Sequence, residues 1–420
     1  MLSFFQSRWQ VFDPSVRLQL LNAGVFALTI DGGIQSVLLN LYMLRLGFGP
    51  ELVGQVVFVG QLAFALSCLP AGRIGERWNL RHMMTIGLLL VLLGSAMVPL
   101  TEFFPQTVHI AWMIVANAIM MIGLAGYYAN QAPYVIGLSH SQARTAIFSV
   151  QSAFYAVFGF IGSLLGGILP GVIAQFRGQS LEESSPYAVT LWLVPLFMLV
   201  ALRLIFWMKD ATNTHEVIDT PSPSPGAPGA PAFLSGAVGL IVIMSIIRFL
   251  QVGGVGTATT FFNVYLDDQL GVSTERIGWI LAISKLLGVP AALAVPLVTR
   301  RLGNAGTTIV ASAIVVAAIM PIAFVPVWWV AGIGYILCWS VTPMRYSAFL
   351  VYIMEHCPPQ LRGSMNGAGE MAAGLSFATV SLIGGYMIAS YGYLALFVTG
   401  ALLTLAGTLL FWGYVTLWKK

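Results

Sequence analysis

Charged residues are so widely spaced in this chain that several intervals between them are long enough to cross a membrane. The interval between Arg144 and Arg177 contains 32 residues without Asp, Glu, Lys or Arg, and that between Glu51 and Arg73 contains 21. A helix of about 20 apolar residues spans the hydrocarbon layer of a bilayer. Only 8% of the 420 residues are charged and 58% are hydrophobic, too few polar residues to cover a water-soluble core. We therefore expect an all-α, polytopic membrane protein.

Twelve membrane-spanning helices are predicted when the longer charge-free intervals are divided at Pro, Gly or polar turns. The predicted spans lie near residues 17–44, 51–72, 82–101, 107–137, 144–175, 187–208, 233–266, 274–299, 305–325, 327–355, 361–389 and 392–418. An outer-membrane barrel would instead show strands of about 10 residues with alternating polarity. The sequence lacks that alternation, so we expect spans that are helical and cross the lipid bilayer.

Lys and Arg residues are distributed unequally between the two sets of loops. Thirteen of them fall on the side that carries both termini, and three, Arg45, Arg177 and Arg276, fall on the other side. Because cytoplasmic loops carry the excess of positive charge, we expect both termini in the cytoplasm and the chain in the cell (inner or plasma) membrane. The net charge of +4 follows from this bias, and it gives no reason to expect nucleic-acid binding.

Residues typical of metal or catalytic sites are scattered along the chain. The three cysteines show no metal-ligand spacing, and the five histidines lie at predicted helix ends or in loops. Neither a P-loop nor a Gly-x-Ser-x-Gly motif is present in the sequence. We expect no cofactor, no metal and no enzymatic activity. A membrane-embedded enzyme or a non-transport module is the alternative from a different class.

A tract rich in Pro, Gly, Ser and Ala, "DTPSPSPGAPGAPA" at residues 219–232, separates the sixth and seventh predicted spans. Such a composition behaves as an extended linker. Residues 1–208 and 233–420 are thus predicted to be two six-helix bundles, joined by a cytoplasmic linker at 209–232. The halves are similar, since "NLYMLRLGFGPELVG" (40–54) aligns with "NVYLDDQLGVSTERIG" (263–278) with one residue inserted. Two parallel repeats are a known transporter architecture, with the substrate site between them.

The predicted loop between spans 2 and 3 is unusually rich in charge. Its pattern, Gly72-x-x-x-Glu76-Arg77-x-Asn79-x-Arg81, resembles the loop signature Gly-x-x-x-Asp-Arg-x-Gly-Arg-Arg of the major facilitator superfamily. A weaker copy, "PLVTRRLG" (296–303), and the stretch "PPQLRG" (358–363) stand where that family has them. The resemblance implies two pseudo-symmetric six-helix bundles that act as a monomeric secondary transporter by alternating access. The family's antiporter signature, with a Gly-Pro pair, is not matched by "GFIGSLLGGILPG" (159–171).

The resemblance also implies a cytoplasmic gate. In the family, the acidic residue at the position of Glu76 meets the start of helix 11 across the two halves, where a carboxylate gains about 0.3–1 kcal/mol from the helix dipole. The candidate gate consists of Gly72, Glu76, Arg77, Arg81, Arg300, Arg301 and Arg362. A cluster that only sets the topology is the alternative interpretation. We prefer it for Arg73 and Arg81, and we prefer the gate for Glu76 and Arg77.

Five ionisable residues fall inside predicted spans: Asp31, Arg248, Lys285, Arg345 and Glu370. Each costs about 2.5–3.5 kcal/mol at the centre of a bilayer, so we expect them to face a wet cavity or to pair with one another. Polar neighbours at helical spacing support a lined cavity. The candidate substrate-binding residues are Arg248, Lys285, Arg345, Glu370, Gln35, Tyr127 and Gln131, and the candidates for proton coupling are Asp31 and Glu370.

The balance of these charges indicates the class of solute. Three cations against two carboxylates favour an anionic or zwitterionic small organic molecule. Arg248 and Arg345 suit the binding of a carboxylate because a guanidinium stays charged, whereas Asp31 suits the transfer of protons as the coupling ion. Asp31 also lies roughly where drug–proton antiporters of the resembled family often keep an acid. A proton-coupled efflux pump for multiple drugs or other amphipathic compounds is therefore the alternative function.

Overall fold

The computed structural model describes residues 12–139, 141–210, 230–357 and 362–417, and these ranges contain helices and no β-strand. Two short turns of other helix types follow α4 and α9, at Thr101–Phe103 and Tyr265–Gln269. In chain order the α-helices are α1 (Pro14–Thr29), α2 (Ile34–Arg45), α3 (Pro50–Arg77), α4 (Leu80–Leu100), α5 (Gln106–Gly137), α6 (Ser141–Arg177), α7 (Ser185–Leu191), α8 (Leu193–Phe206), α9 (Ala230–Val264), α10 (Thr274–Phe324), α11 (Trp328–His356) and α12 (Arg362–Leu417).

Ten helical segments within the described ranges are long and apolar enough to cross a membrane. Two of them, Thr274–Phe324 with 51 residues and Met365–Thr416 with 52, are at least twice as long as one span requires. Each contains a glycine with non-helical, left-handed backbone, Gly303 at φ 68° and Gly392 at φ 78°. These glycines lie at the predicted turns between spans 8 and 9 and between spans 11 and 12. The prediction of a polytopic α-helical membrane protein is confirmed. The described residues show ten candidate segments, and a division of the two long ones at these glycines would bring the number to the twelve that the sequence predicts.

The first predicted span, residues 17–44, is interrupted in the structure by a break at residues 30–33. Gly32 has a φ of 83°, a left-handed conformation that favours glycine. The Ser36 hydroxyl accepts a hydrogen bond from the Gly32 N–H at 2.9 Å and donates one to the Ile30 carbonyl at 2.6 Å. The Ser163 hydroxyl of α6 donates to the Gly32 carbonyl. The two hydroxyls thus form the hydrogen bonds that the backbone at residues 30 and 32 would lack in lipid. The prediction of one continuous helix at residues 17–44 was wrong, because two helices flank this break.

Several helices begin where the sequence provides a suitable first residue. Asp13 caps α1 by accepting a hydrogen bond from the Ser15 N–H at 2.7 Å, and Pro14 follows it. Asn79, in the charged loop, caps α4 in the same way through the Arg81 N–H at 2.8 Å. The polar loop residue that departs from the resembled signature thus has a local structural role.

The chain divides into two compact units. Unit 1 consists of Met1–Asn213 together with Asn263–Val289, and unit 2 consists of Thr214–Phe262 together with Pro290–Lys420. Residues 263–289, which the repeat assigns to the C-terminal half, therefore pack with the N-terminal helices. Most of the predicted linker, residues 211–229, lies outside the described residues. In unit 2, one core joins α9, α11 and α12 through Ile247, Phe349, Tyr352 and Phe411.

Candidate solute and proton sites

Asp31 lies in the break between α1 and α2, and its side chain is exposed although the flanking helices are apolar. Its carboxylate accepts a hydrogen bond from the Tyr128 hydroxyl of α5. It also interacts electrostatically with Lys285 of α10. Two ionisable residues from different halves of the sequence therefore meet within unit 1, together with a tyrosine. We refer to Asp31, Tyr128 and Lys285 as the acidic site.

Gly32 is the residue that lets Lys285 approach the helix break. A Cβ atom placed on Gly32 would lie 2.1 Å from Cε and 2.5 Å from Nζ of Lys285. A side chain at this position would displace the lysine as well as strain the backbone, because the φ of Gly32 is positive. The glycine thus contributes twice to the acidic site: it breaks the helix and leaves room for the ammonium group.

Other polar side chains of α5 and α6 extend the acidic site. The Tyr155 hydroxyl lies close to Asp31, Tyr128 and Gln131. Gln131, a predicted substrate-binding residue, is therefore near the acidic site. Gln35, predicted from its spacing to Asp31, is buried and donates a hydrogen bond to the sulfur of Met120 at 2.9 Å. Among the described atoms, its carbonyl oxygen has no hydrogen-bond partner.

Tyr127 and Tyr128 are adjacent in the sequence but differ in their surroundings. Tyr127, the predicted site residue, is fully buried, accepts a hydrogen bond from Gln19 at 2.8 Å and stacks on Phe26 at a centroid distance of 4.1 Å. Tyr128, which the sequence did not single out, donates to Asp31. In this conformation Tyr127 is a packing residue, and its neighbour belongs to the acidic site.

Arg248 of α9 lies in unit 2 and is only 8% exposed. Its guanidinium carbon is 4.9 Å from the ring centroid of Tyr346 and 5.8 Å from that of Phe349. Arg248 and Tyr346 line a cavity of about 20 Å³ with Asn366 and Glu370, enough room for one water molecule. Among the described residues, no carboxylate oxygen lies within 4.0 Å of the Arg248 guanidinium, although Glu370 interacts with it electrostatically. We refer to Arg248, Tyr346, Asn366 and Glu370 as the basic site.

Arg345 is in a different environment from Arg248, although both were predicted to bind substrate. It is 1% exposed, and its Nη1 donates a hydrogen bond to the Gln251 carbonyl at 2.6 Å. Its Nε atom has no hydrogen-bond partner among the described atoms, and neither has the side-chain amide of Gln251. In this conformation a solute in a wet cavity cannot reach the Arg345 guanidinium.

The sequence model of the Major Facilitator Superfamily matches residues 21–376, which is most of the chain. This protein belongs to the Major Facilitator Superfamily. It is accordingly a multi-pass membrane transporter of small molecules rather than an enzyme, and the predicted resemblance is confirmed.

Solved structures of transporters share this fold. A D-xylose–proton symporter is 15% identical, with a TM-score of 0.73 over 94% of this chain and 96% of its own. The nucleoside transporter NupG is 12% identical, with a TM-score of 0.69 over 97% and 98%. A human organic anion transporter is 16% identical, with a TM-score of 0.60 over 95% and 100%. At these identities the likeness concerns the fold.

The residues of the predicted cytoplasmic gate fall into three groups. Gly72 and Arg77 lie in the last two turns of α3, and Arg77, Arg300 and Arg301 are exposed. Arg81 donates a hydrogen bond to the Met208 carbonyl at 2.6 Å and pairs with Asp210 at 3.4 Å, so it joins the start of α4 to the end of α8. The side chains of Glu76 and Arg362 lie outside the described part of the chain.

Proposed function

We propose that this member of the superfamily is a proton-coupled secondary transporter that moves a small anionic or zwitterionic organic solute by alternating access. The observation that carries the proposal is the acidic site. Asp31 is an exposed carboxylate within an otherwise apolar span, at a helix break, with a hydroxyl donor and a lysine beside it. An ionisable residue at membrane depth is costly to insert and is typical of proton relays.

The acidic site contains the parts that proton exchange requires. The exposed side chain of Asp31 can take up a proton when the solute path brings water to it. Protonation removes the charge that attracts Lys285 to Asp31 and weakens the hydrogen bond from the Tyr128 hydroxyl, because a neutral carboxyl group is a poorer acceptor than a carboxylate. A conformational equilibrium shifts when a ligand interacts differently with its two states, and here the ligand is the proton.

The basic site supports an anionic or zwitterionic solute. Arg248 stays charged, stacks on aromatic rings and forms no ion pair with a described carboxylate. Glu370 lines the same small cavity and is exposed. The cavity holds only one water molecule in this conformation, so a solute would enter when it widens. A zwitterion then suits the two charges, since its carboxylate can bind Arg248 while its ammonium group binds Glu370. A purely anionic solute would use Arg248 alone.

The same proposal includes the placement of the chain. We infer that both termini are cytoplasmic and that the protein lies in the cell (inner or plasma) membrane, since thirteen Lys and Arg residues fall in the loops of one side. Single cysteines at positions 182 and 222, with the three native cysteines replaced, test this. On intact cells an impermeant thiol reagent should label position 182 and spare position 222. The reverse pattern contradicts the orientation.

Transport by the purified protein in liposomes tests the function. Zwitterionic, anionic, neutral and cationic amphipathic solutes are compared with and without an imposed pH gradient. We expect accumulation of a zwitterionic or anionic solute that follows the gradient and collapses when a protonophore is added. Movement of cationic amphipathic compounds alone would instead support the efflux pump. Equal movement with and without the gradient would exclude proton coupling.

A further inference from the structure

A bidentate ion pair in unit 1 joins the end of α2 to the segment after α9. The Nη1 and Nη2 atoms of Arg45 donate to the two carboxylate oxygens of Asp267 at 2.7 and 2.8 Å. The Arg45 and Asp267 side chains are 13% and 8% exposed. Nε of Arg45 donates to the Leu181 carbonyl at 2.9 Å, and its guanidinium lies 5.5 Å from the Tyr187 ring centroid. Each of the three guanidinium nitrogens thus donates a hydrogen bond, and this bidentate, largely buried geometry is stronger than that of an exposed surface pair.

A second layer of contacts lies deeper in the same span. The Asn40 side chain donates a hydrogen bond to the Asn263 side-chain oxygen at 3.4 Å, and the Asn263 amide donates to the Val37 carbonyl at 3.1 Å. Asn40 precedes Arg45 by five residues, so this layer lies about 7.5 Å further along α2. The ion pair and the amide pair therefore form two successive layers of contacts at the same end of unit 1.

Helices α6 and α10 meet near these layers through two glycines. A Cβ atom on Gly278 would lie 2.6 Å from the Cα atom of Gly167, so the backbones touch without intervening side chains. Small residues at such a crossing let membrane helices approach closely. The hydroxyls of Tyr187 and Thr274 share a hydrogen bond of 2.9 Å beside this crossing.

The internal repeat explains why these particular residues face each other. In the alignment of 40–54 with 263–278, Asn40 is equivalent to Asn263, and Arg45 is equivalent to Asp268, the neighbour of Asp267. Equivalent segments of the two repeats are therefore in contact. The two equivalent asparagines pair with each other, and Arg45 pairs with an aspartate that lies next to its own equivalent position. These contacts cross from the first repeat to the second.

A cavity of about 530 Å³ lies directly against the ion pair. Its lining includes Arg45, Asp267, Glu182 and Tyr187, and Glu182 has 83% of its side chain exposed. Arg45 and Asp267 line this cavity, whereas Asn40 and Asn263 are buried and are not part of its lining. The ion pair is therefore the boundary between a polar vestibule and the interior of the span.

We propose that Arg45 and Asp267 form the gate on the side of the membrane opposite the Lys- and Arg-rich loops, with the Asn40–Asn263 contact as its second layer. The two repeats of such a transporter must separate on each side in turn, so these contacts break whenever the path opens towards the vestibule. The gate rests on membership of the transporter family and does not depend on the solute or the coupling ion proposed above.

The test measures how fast an impermeant thiol reagent labels a cysteine introduced by Thr259→Cys, in a protein without the three native cysteines. Thr259 is exposed and lies one helical turn before Asn263 on α9, behind the gate, and its hydroxyl donates to the Val255 carbonyl of the same helix. The reagent is added on the side from which a cysteine at position 182 is labelled. Arg45→Gln and Asp267→Asn should each raise the labelling rate about tenfold, which corresponds to the loss of one charge-assisted contact. Neither solute nor pH gradient is needed, so failure here is distinct from failure of the proposed function.

Three further variants keep the test decisive. Arg45→Lys retains the charge but loses the bidentate geometry, so it should give a smaller rise in a protein that folds normally. Exchange of the charges, Arg45→Asp with Asp267→Arg, should return the rate to within about twofold of the starting protein. Arg177→Gln is the matched control, because Arg177 is exposed and its hydrogen bond to Ser185, at 3.5 Å, is weak. This variant should leave the rate unchanged.

Two results would overturn the gate. One is a labelling rate that stays at the starting value in both Arg45→Lys and Asp267→Asn. The other is a raised rate in the single variants that the charge exchange does not lower, because the pair itself would then not be what holds this end closed.

Discussion

The acidic site of unit 1 and the basic site of unit 2 both place charge within apolar helices, but their charges have different partners. Asp31 accepts a hydrogen bond from the Tyr128 hydroxyl and is attracted to Lys285, so the gain of a proton by Asp31 weakens both interactions. Arg248 lies against the faces of two aromatic rings, which hold a cation without neutralising it, and the Glu370 carboxylate attracts it without forming a direct ion pair. This difference supports the proposal that the acidic site exchanges protons and that the basic site presents a fixed positive charge to the solute.

The substitution Asp31→Asn should have the largest effect, because it removes the proposed proton carrier and keeps the shape of the side chain. We expect the variant to insert and to bind solute, but to lose accumulation driven by a pH gradient. Transport in liposomes with and without the gradient measures this. Asp13→Asn is the matched control, since Asn caps a helix as well as Asp does and Asp13 caps α1. Gradient-driven accumulation that survives in Asp31→Asn would remove Asp31 from the mechanism and leave Glu370 as the candidate.

The substitution Arg248→Gln should weaken binding of the solute without unfolding the protein. The loss of a charge-assisted contact is worth about 1.5–3 kcal/mol, or roughly 10- to 150-fold in affinity. Equilibrium binding in detergent and thermal unfolding of the same sample give the two quantities. Arg203→Gln is the control, because Arg203 also stacks on an aromatic ring, Trp207 at 4.3 Å, but lies in the other unit. An unchanged affinity in Arg248→Gln would separate the basic site from the solute.

The substitution Arg345→Gln should show the opposite pattern. Because the Arg345 guanidinium is buried and donates to the Gln251 carbonyl, its removal takes away a buried contact and should lower the free energy of unfolding by about 1–3 kcal/mol. The affinity of the folded fraction for the solute should stay the same. A stable Arg345→Gln protein with weakened binding would show that Arg345 reaches the solute in another conformation.

Much of the fold could be predicted from the sequence because the hydrocarbon layer of a bilayer restricts both the composition and the structure of a span. A span needs about 20 apolar residues and must satisfy its own backbone hydrogen bonds, so charge-free intervals and helices coincide along the chain. The break at residues 30–33 was missed because a search for intervals of about 20 residues does not resolve a turn of four. Asp31, Gly32 and Gly33 are themselves turn residues, and that local signal could have located it.

The sequence identifies individual candidate residues, but it does not show which of them lie next to one another in the fold. Asp31, Arg248 and Lys285 stand out because a charge inside a span is rare. Which of them meet depends on packing between residues far apart in the sequence, such as the approach of Lys285 to Gly32. Tyr128 was missed for the same reason: the rotation of α5 about its axis turns Tyr127 onto Phe26.

The substitution Tyr128→Phe should have the smallest effect and refines the comparison between the two sites. It removes one hydroxyl that donates to Asp31 and leaves the carboxylate and Lys285 in place. The net worth of such a hydrogen bond is about 0.5–1.5 kcal/mol, so the rate of coupled transport should fall by roughly 2- to 12-fold while the dependence on the pH gradient persists. Tyr127→Phe is the matched control: it loses a hydrogen bond to Gln19 in the core and should lower stability rather than coupling. If Tyr128→Phe abolished coupling as completely as Asp31→Asn, the tyrosine would itself belong to the path of the proton, and the acidic site would be a relay rather than a single carrier.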